Sequence, residues 1–243
     1  MSLSLKPLGV AAAFAVVAAC SPNTPSTGTD AAAASADAAA PAPAAAPADA
    51  AATAATPATP DAATPAAPQL QAAMRGLWHG HITHARDYAL AVHAGDKAGA
   101  KAAADAVVAN AKDISHAVAG FYGDAAGDGM MSLLAGHWAA IKAMTDTRAK
   151  NDKAGADKAM ADMVANAGEI AKFLAGANPN LPEDTVRGLM LAHGAHHSKE
   201  VDLIMSGDTA GEAAEWTAMQ AHMDMIADAL AGAIAKQFPD KAS

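Results

Sequence analysis

A histidine returns in this chain every 56 residues, as His81, His137 and His193, and the same interval carries a whole set of positions with it. Leu77, Leu133 and Leu189 align, as do Asp96, Asp152 and Asp208, then Gly99, Gly155 and Gly211, then Ile114, Ile170 and Ile226. Three copies of one unit therefore fill residues 70 to 243, and any fold must place three equivalent segments. Within each unit alanine is abundant, β-branched runs are few, and apolar residues recur three and four apart, which is the pattern of amphipathic helix. The spacing predicts helices over 69–94, 97–120, 126–150, 153–176, 183–206 and 209–236.

Start and stop signals agree with these bounds. Asp96, Asp152 and Asp208 stand at N-cap positions, Thr209 to Glu212 reads as a capping box, and Pro182 suits a first helical turn. Connections of two or three residues make each unit an αα-hairpin. The expected fold is all-α: three repeated hairpins forming a six-helix bundle, with a short open solenoid as the competing arrangement.

Counting outward from each turn sets the heights. His81 precedes Asp96 by as much as Asn110 follows it, within one residue, so an antiparallel pair puts the two side by side. The repeat transfers this geometry to His137 with Asn166 and to His193 with His222. The polar member interrupts an apolar stripe each time, as in Val107, Asn110, Ile114 and Val118, so it is expected to point inward. Six polar groups are then expected near the middle of the bundle.

Several imidazoles converging in a helical core point to a metal, because neutral imidazole is a common ligand and bundles build such sites from facing helices. On the fifth helix His193, His197 and Glu200 keep one face, and His84 lies one turn beyond His81. The candidate ligands are thus His81, His84, His137, His193, His197, Glu200 and His222. Mostly imidazole with one inward carboxylate, the set suits zinc or copper better than a carboxylate-bridged di-iron centre. Met219, Met223 and Met225 offer thioethers beside His222, but methionines at helical spacing read first as core filler. His79, His93 and His116 align with Ala or Lys and are expected at the surface. The alternative to a metal is a structural or interaction module held by a buried His/Asn network. No phosphate loop, nucleophile elbow, CxxC or HExxH is present, and nothing names a substrate, so a binding role is favoured over catalysis.

Ahead of the repeats the composition changes. Residues 1–19 have Lys6, an apolar run from Leu8 to Ala19 and small residues at the end, the layout of a secretory signal peptide. Val17, Ala18, Ala19 and Cys20 resemble the bacterial lipobox, which implies lipidation of Cys20, including by palmitate, and a membrane lipoprotein. Ser21 and Pro22 lack the aspartate of inner-membrane retention, so the resemblance implies an outer-membrane anchor facing the periplasm or the cell surface. Residues 20–68 are Ala, Pro, Thr and Ser with nine prolines after Cys20 and no aromatic residue, and they read as a disordered, semi-rigid tether. Residues 69–243 form the helical domain. With Cys20 the one cysteine, no intramolecular disulfide can form. Sixteen basic against 25 acidic residues exclude nucleic acid as a natural partner, and no protein partner is named.

Within the domain, LWHGH followed by Arg86, NAGEIAKFLAGANP from Asn166 and HMDMIADALAGAIAKQFP from His222 resemble a family of bacterial all-helical proteins. The likeness covers most of residues 76 to 240 and implies the fold but no activity. The chain departs from that family at His84, where the family has an aromatic or aliphatic residue, and in adding His196 and His197.

Overall fold

The computed structural model describes residues 67–242, and these fold into six helices: α1 (Pro68–His93), α2 (Lys97–Tyr122), α3 (Asp124–Arg148), α4 (Lys153–Ala177), α5 (Glu183–Ser206) and α6 (Thr209–Gln237). The signal peptide, the lipobox and nearly all of the tether lie outside the described residues. None of the described helices is long and apolar enough to cross a membrane.

The hairpin turn is one device used three times. Gly95, Asn151 and Gly207, again 56 apart, take positive φ angles of 70°, 57° and 72°. Gly and Asn tolerate that left-handed conformation, which ends a helix. The N–H of the next residue, an aspartate each time, reaches back to the carbonyl of Ala91, Thr147 or Leu203. The aspartate side chain then caps the following helix by accepting from the N–H of Gly99, Gly155 or Gly211. A Cβ on any of these three glycines would collide with the capping carboxylate, which explains why the repeat keeps Asp-x-x-Gly. Glu212 does not complete a capping box: Asp208 is the cap, and Glu212 is drawn into an ion pair with Arg86. Asp152→Ala is expected to lower the unfolding free energy by about 1 kcal/mol, read as a lower urea midpoint at unchanged slope.

The hairpins close on themselves. Each helix packs on the next, α6 returns to pack on α1, and α1, α3 and α5 touch one another at the centre. The odd helices are therefore inner and the even helices fill the grooves between them. Open solenoids lack the α6–α1 contact, so the bundle is closed. Most of its core lies in two bodies. One gathers near the N-terminal ends of the odd helices around Met74, Trp78, Met130, Leu134 and Met190, with Ile226 and Leu230 from α6. The other lies toward their C-terminal ends around Tyr88, Trp138, Ile141, Met144 and Met163. His81 and His137 sit between the two in sequence on α1 and α3, whereas on α5 the apolar residues beyond His193, Val201 and Ile204, pack with Ala89 in a smaller body of their own.

Candidate metal centre

Because α1, α3 and α5 are inner and equivalent, the repeat histidine of each meets the other two. Ring centroids are 5.5 Å apart for His81 and His137, 5.3 Å for His137 and His193, and 6.0 Å for His81 and His193. A fourth imidazole joins from α5 alone. His197 follows His193 by four residues, and its ring lies 4.5 Å from that of His193 and 6.1 Å from those of His81 and His137. All four residues are at most 3% exposed. One nitrogen from each comes within 4.8 Å of the others, the geometry of a group able to hold a metal ion. Tetrahedral zinc–nitrogen bonds of about 2.0–2.1 Å put ligand nitrogens about 3.3 Å apart, and Nε2 of His193 and Nε2 of His197 already stand at 3.2 Å.

The even helices hold the inner ones in register. Asn110 Nδ2 donates to the carbonyl of Leu77, Asn166 Nδ2 to that of Leu133, and His222 Nε2 bonds that of Leu189. The expected convergence of six polar groups is thus corrected: the α2 and α6 members stop at a main-chain carbonyl of the neighbouring inner helix. Asn166 does both jobs. Its amide orientation is fixed by Leu133, so its Oδ1 faces His137 Nδ1 at 3.2 Å and accepts the proton there, leaving Nε2 of His137 as the free lone pair. Gly80 and Gly136 admit the asparagines; a Cβ at Gly80 would lie 2.9 Å from Asn110 Nδ2. In the third unit alanine (Ala192) stands at that position and histidine replaces asparagine.

The other sequence candidates lie around the quartet. Glu200 is 1% exposed, with Oε2 4.0 Å from His197 Nδ1, so it stands behind that ring at a distance too long for a hydrogen bond. His222 is buried beside His193, with ring centroids 6.4 Å apart. His84 is half-exposed, 4.0 Å from Asp87. Met219 and Met223 are fully buried and Met225 is exposed. His93 and His116 are exposed as expected, whereas His79 is half-buried in a 2.9 Å contact with Asp224.

Two ionic contacts beside the quartet escaped the sequence reading. Arg86 bonds Glu212 through Nε and Nη2 at 2.5 and 3.0 Å, lies 3.9 Å from Glu200 and stacks over Trp216. Glu215, 3% exposed, accepts from His196 Nδ1 and from Lys199 Nζ. Glu212 and Glu215 stand where the first two units have Ala, and Glu200 replaces Tyr88 and Met144. A signal was therefore available: polar residues confined to the third copy of an otherwise apolar position.

Burial makes the quartet neutral. It depresses the His81 imidazole to about 3 and that of His137 to about 4, and it holds those of His193 and His197 well below the ordinary value, with neighbouring rings adding to the effect on His81, His193 and His197. Burial, then the nearby Glu212 charge, pushes Glu200 up to about 8 against the pull of Arg86. Neutral imidazole is the ligating form. Yet both ring nitrogens of His81, Nδ1 of His193 and Oε1 of Glu200 are buried without a hydrogen-bond partner. A His/Asn network alone leaves these atoms at a cost of about 1–3 kcal/mol each.

The sign of the acid response follows. Between pH 6.5 and about 4 the unfolded chain takes up protons on these histidines while the folded chain does not, so stability falls as pH falls through that window. Glu200 acts oppositely, contributing stability that is present below 4.5 and lost as pH rises toward 8. Four imidazoles outweigh one carboxyl. The metal-free protein is expected to show its highest melting temperature near pH 6.5 and a steep decline below it, measured by thermal melts across pH 4 to 8.

No protein-family model, curated protein or solved structure matches this chain.

Proposed function

We propose that the protein is a lipid-anchored lipoprotein of the bacterial envelope whose bundle core binds a transition metal, zinc or copper, through His81, His137, His193 and His197, for storage, delivery or sensing. The observation that carries this reading is the quartet itself: four buried neutral imidazoles, from three different helices, with ligand atoms within 4.8 Å of one another. One ion would satisfy four buried nitrogens at once, and no alternative partner serves His81. An all-nitrogen set fits zinc and copper, and four protein ligands resemble a closed site more than a catalytic one with an open position. The lipobox at Val17 to Cys20 and the Ala/Pro-rich segment after it support anchoring to the outer membrane, with the domain held away from the lipid surface. The membrane is then the one assigned partner.

Two measurements test the reading. Elemental analysis of the full chain, purified without a histidine tag, is expected to find close to one zinc or copper ion per chain, and a metal-free preparation that also takes up neither ion at neutral pH would refute it. Cys20→Ala is expected to leave the precursor unlipidated and lost from the membrane fraction; a mutant that remains lipidated and anchored would refute the lipid anchor while leaving the metal centre standing.

A further inference from the structure

The surroundings of the quartet differ in chemistry from side to side. Toward the N-terminal ends of the inner helices lies an apolar chamber of about 40 Å³, walled by His137 and His193 together with Trp78, Leu134, Met190 and Met223. A hydrated cation cannot cross such a lining without losing its water for nothing. On the side of Glu200 the guanidinium of Arg86 stands in the way, locked to Glu212 and carrying a fixed positive charge. The third side is lined by imidazole.

There the rings form a ladder from solvent to core. The His196 side chain is 25% exposed, His222 is 6% exposed and His193 is 2% exposed. Ring centroids are 5.1 Å apart from His196 to His222 and 6.4 Å from His222 to His193, the last pair within 15° of parallel. Hydrogen bonds fix both tautomers. A carbonyl can only accept, so Nε2 of His222 carries the proton toward Leu189 and its Nδ1 keeps the lone pair. Glu215 accepts from Nδ1 of His196, which leaves Nε2 of that ring free, and it adds a buried carboxylate at the entrance.

We infer that His196 and His222 are a two-imidazole way station through which the metal ion passes between solvent and the quartet. The inference rests on the reading of the quartet as a metal centre. Two ligands hold an ion more weakly than four, so the ion is drawn inward by exchange of imidazoles and is never bare in the interior. The repeat contains its own comparison. His84 occupies the position of His196 in the first unit, but Asn110 stands where His222 would continue the ladder, so the first unit has an outer histidine and no path.

The test uses the metal-free full chain with Co²⁺ as the probe, its ligand-field absorption followed by stopped flow. Ala192→Gly with His222→Asn rebuilds the glycine and asparagine pair of the first two units and so retains the bond to Leu189. This variant and His196→Gln, whose amide can still donate to Glu215, are both expected to reach the parental absorption amplitude at a rate lower by roughly tenfold, the kinetic equivalent of one weak ligand. His84→Gln is expected to match the parent in rate and amplitude. Parental rates in both ladder variants would overturn the path and leave the centre intact. Reduced amplitude in the His222 variant would make that residue a ligand of the final site, which also overturns it. No cobalt spectrum in the parent would overturn the centre, and the path with it.

Discussion

Replacing His193 by Ala is expected to abolish retention of a metal through dialysis and to lower the melting temperature of the metal-loaded protein to that of the metal-free variant. His193 is the hub of the quartet: it stacks on His137, lies 3.2 Å from His197 through Nε2, and adjoins His81 and His222. The size of the loss follows from linkage. A ligand bound at 1,000 times its dissociation constant stabilises the fold by about 4 kcal/mol, and structural zinc sites bind more tightly than that condition requires. Excess chelator on the parent protein should reproduce the loss. A purely hydrogen-bonded cluster behaves otherwise, because His193→Ala then costs about 1–3 kcal/mol through its stranded partner and chelator leaves the parent unchanged. Differential scanning calorimetry with and without chelator separates the two, and an unchanged melting temperature in chelator would sink the metal reading.

Arg86→Ala is expected to be the most destabilising loss of a charged side chain. Arg86 is the cation between Glu212 and Glu200, whose side chains are 10% and 2% exposed. Its removal strands the Glu212 carboxylate and takes away the cation that lies 3.9 Å from the Glu200 carboxyl. Breaking a fully buried pair costs about 3–5 kcal/mol; with Arg86 itself 28% exposed, a value near the lower end, about 3 kcal/mol, is expected. Pairing Arg86→Ala with Glu212→Gln in a double-mutant cycle should recover much of the loss by urea denaturation. Additive losses would mean that the guanidinium matters for its stacking on Trp216 and not for charge.

Most of this architecture was legible in the repeat. The interval of 56 residues sets three equivalent hairpins, and equivalent inner helices must bring equivalent residues to one level, so the meeting of His81, His137 and His193 follows from periodicity. His197 was legible because four residues after His193 is one face of one helix. What counting could not supply was the direction of the even-helix polar residues. Asn110 and His222 interrupt apolar stripes and do point inward, but inward from an outer helix means toward the backbone of an inner one, and the first acceptor met is a leucine carbonyl. The ion pair of Arg86 with Glu212 joins α1 to α6 across 126 residues of sequence, and no local pattern announces such a contact. The glycines and asparagine of the turns went unread because a positive φ is a property of the folded turn, although their own spacing of 56 was visible.

The closed ring of hairpins also imposes an order in time. A chain made from its N-terminus presents His81 and then His137, and with these two alone it offers an ion no better than a two-ligand site. His193 and His197 arrive together on α5, and α6 must still return to α1 before that helix is enclosed. Under the proposed function, capture by four imidazoles therefore cannot begin on a partly made chain. On the proposed reading, completion of the last hairpin assembles the four-imidazole site, so a truncated product lacking α5 and α6 keeps His81 and His137 alone and competes only weakly for ions with the finished molecules around it.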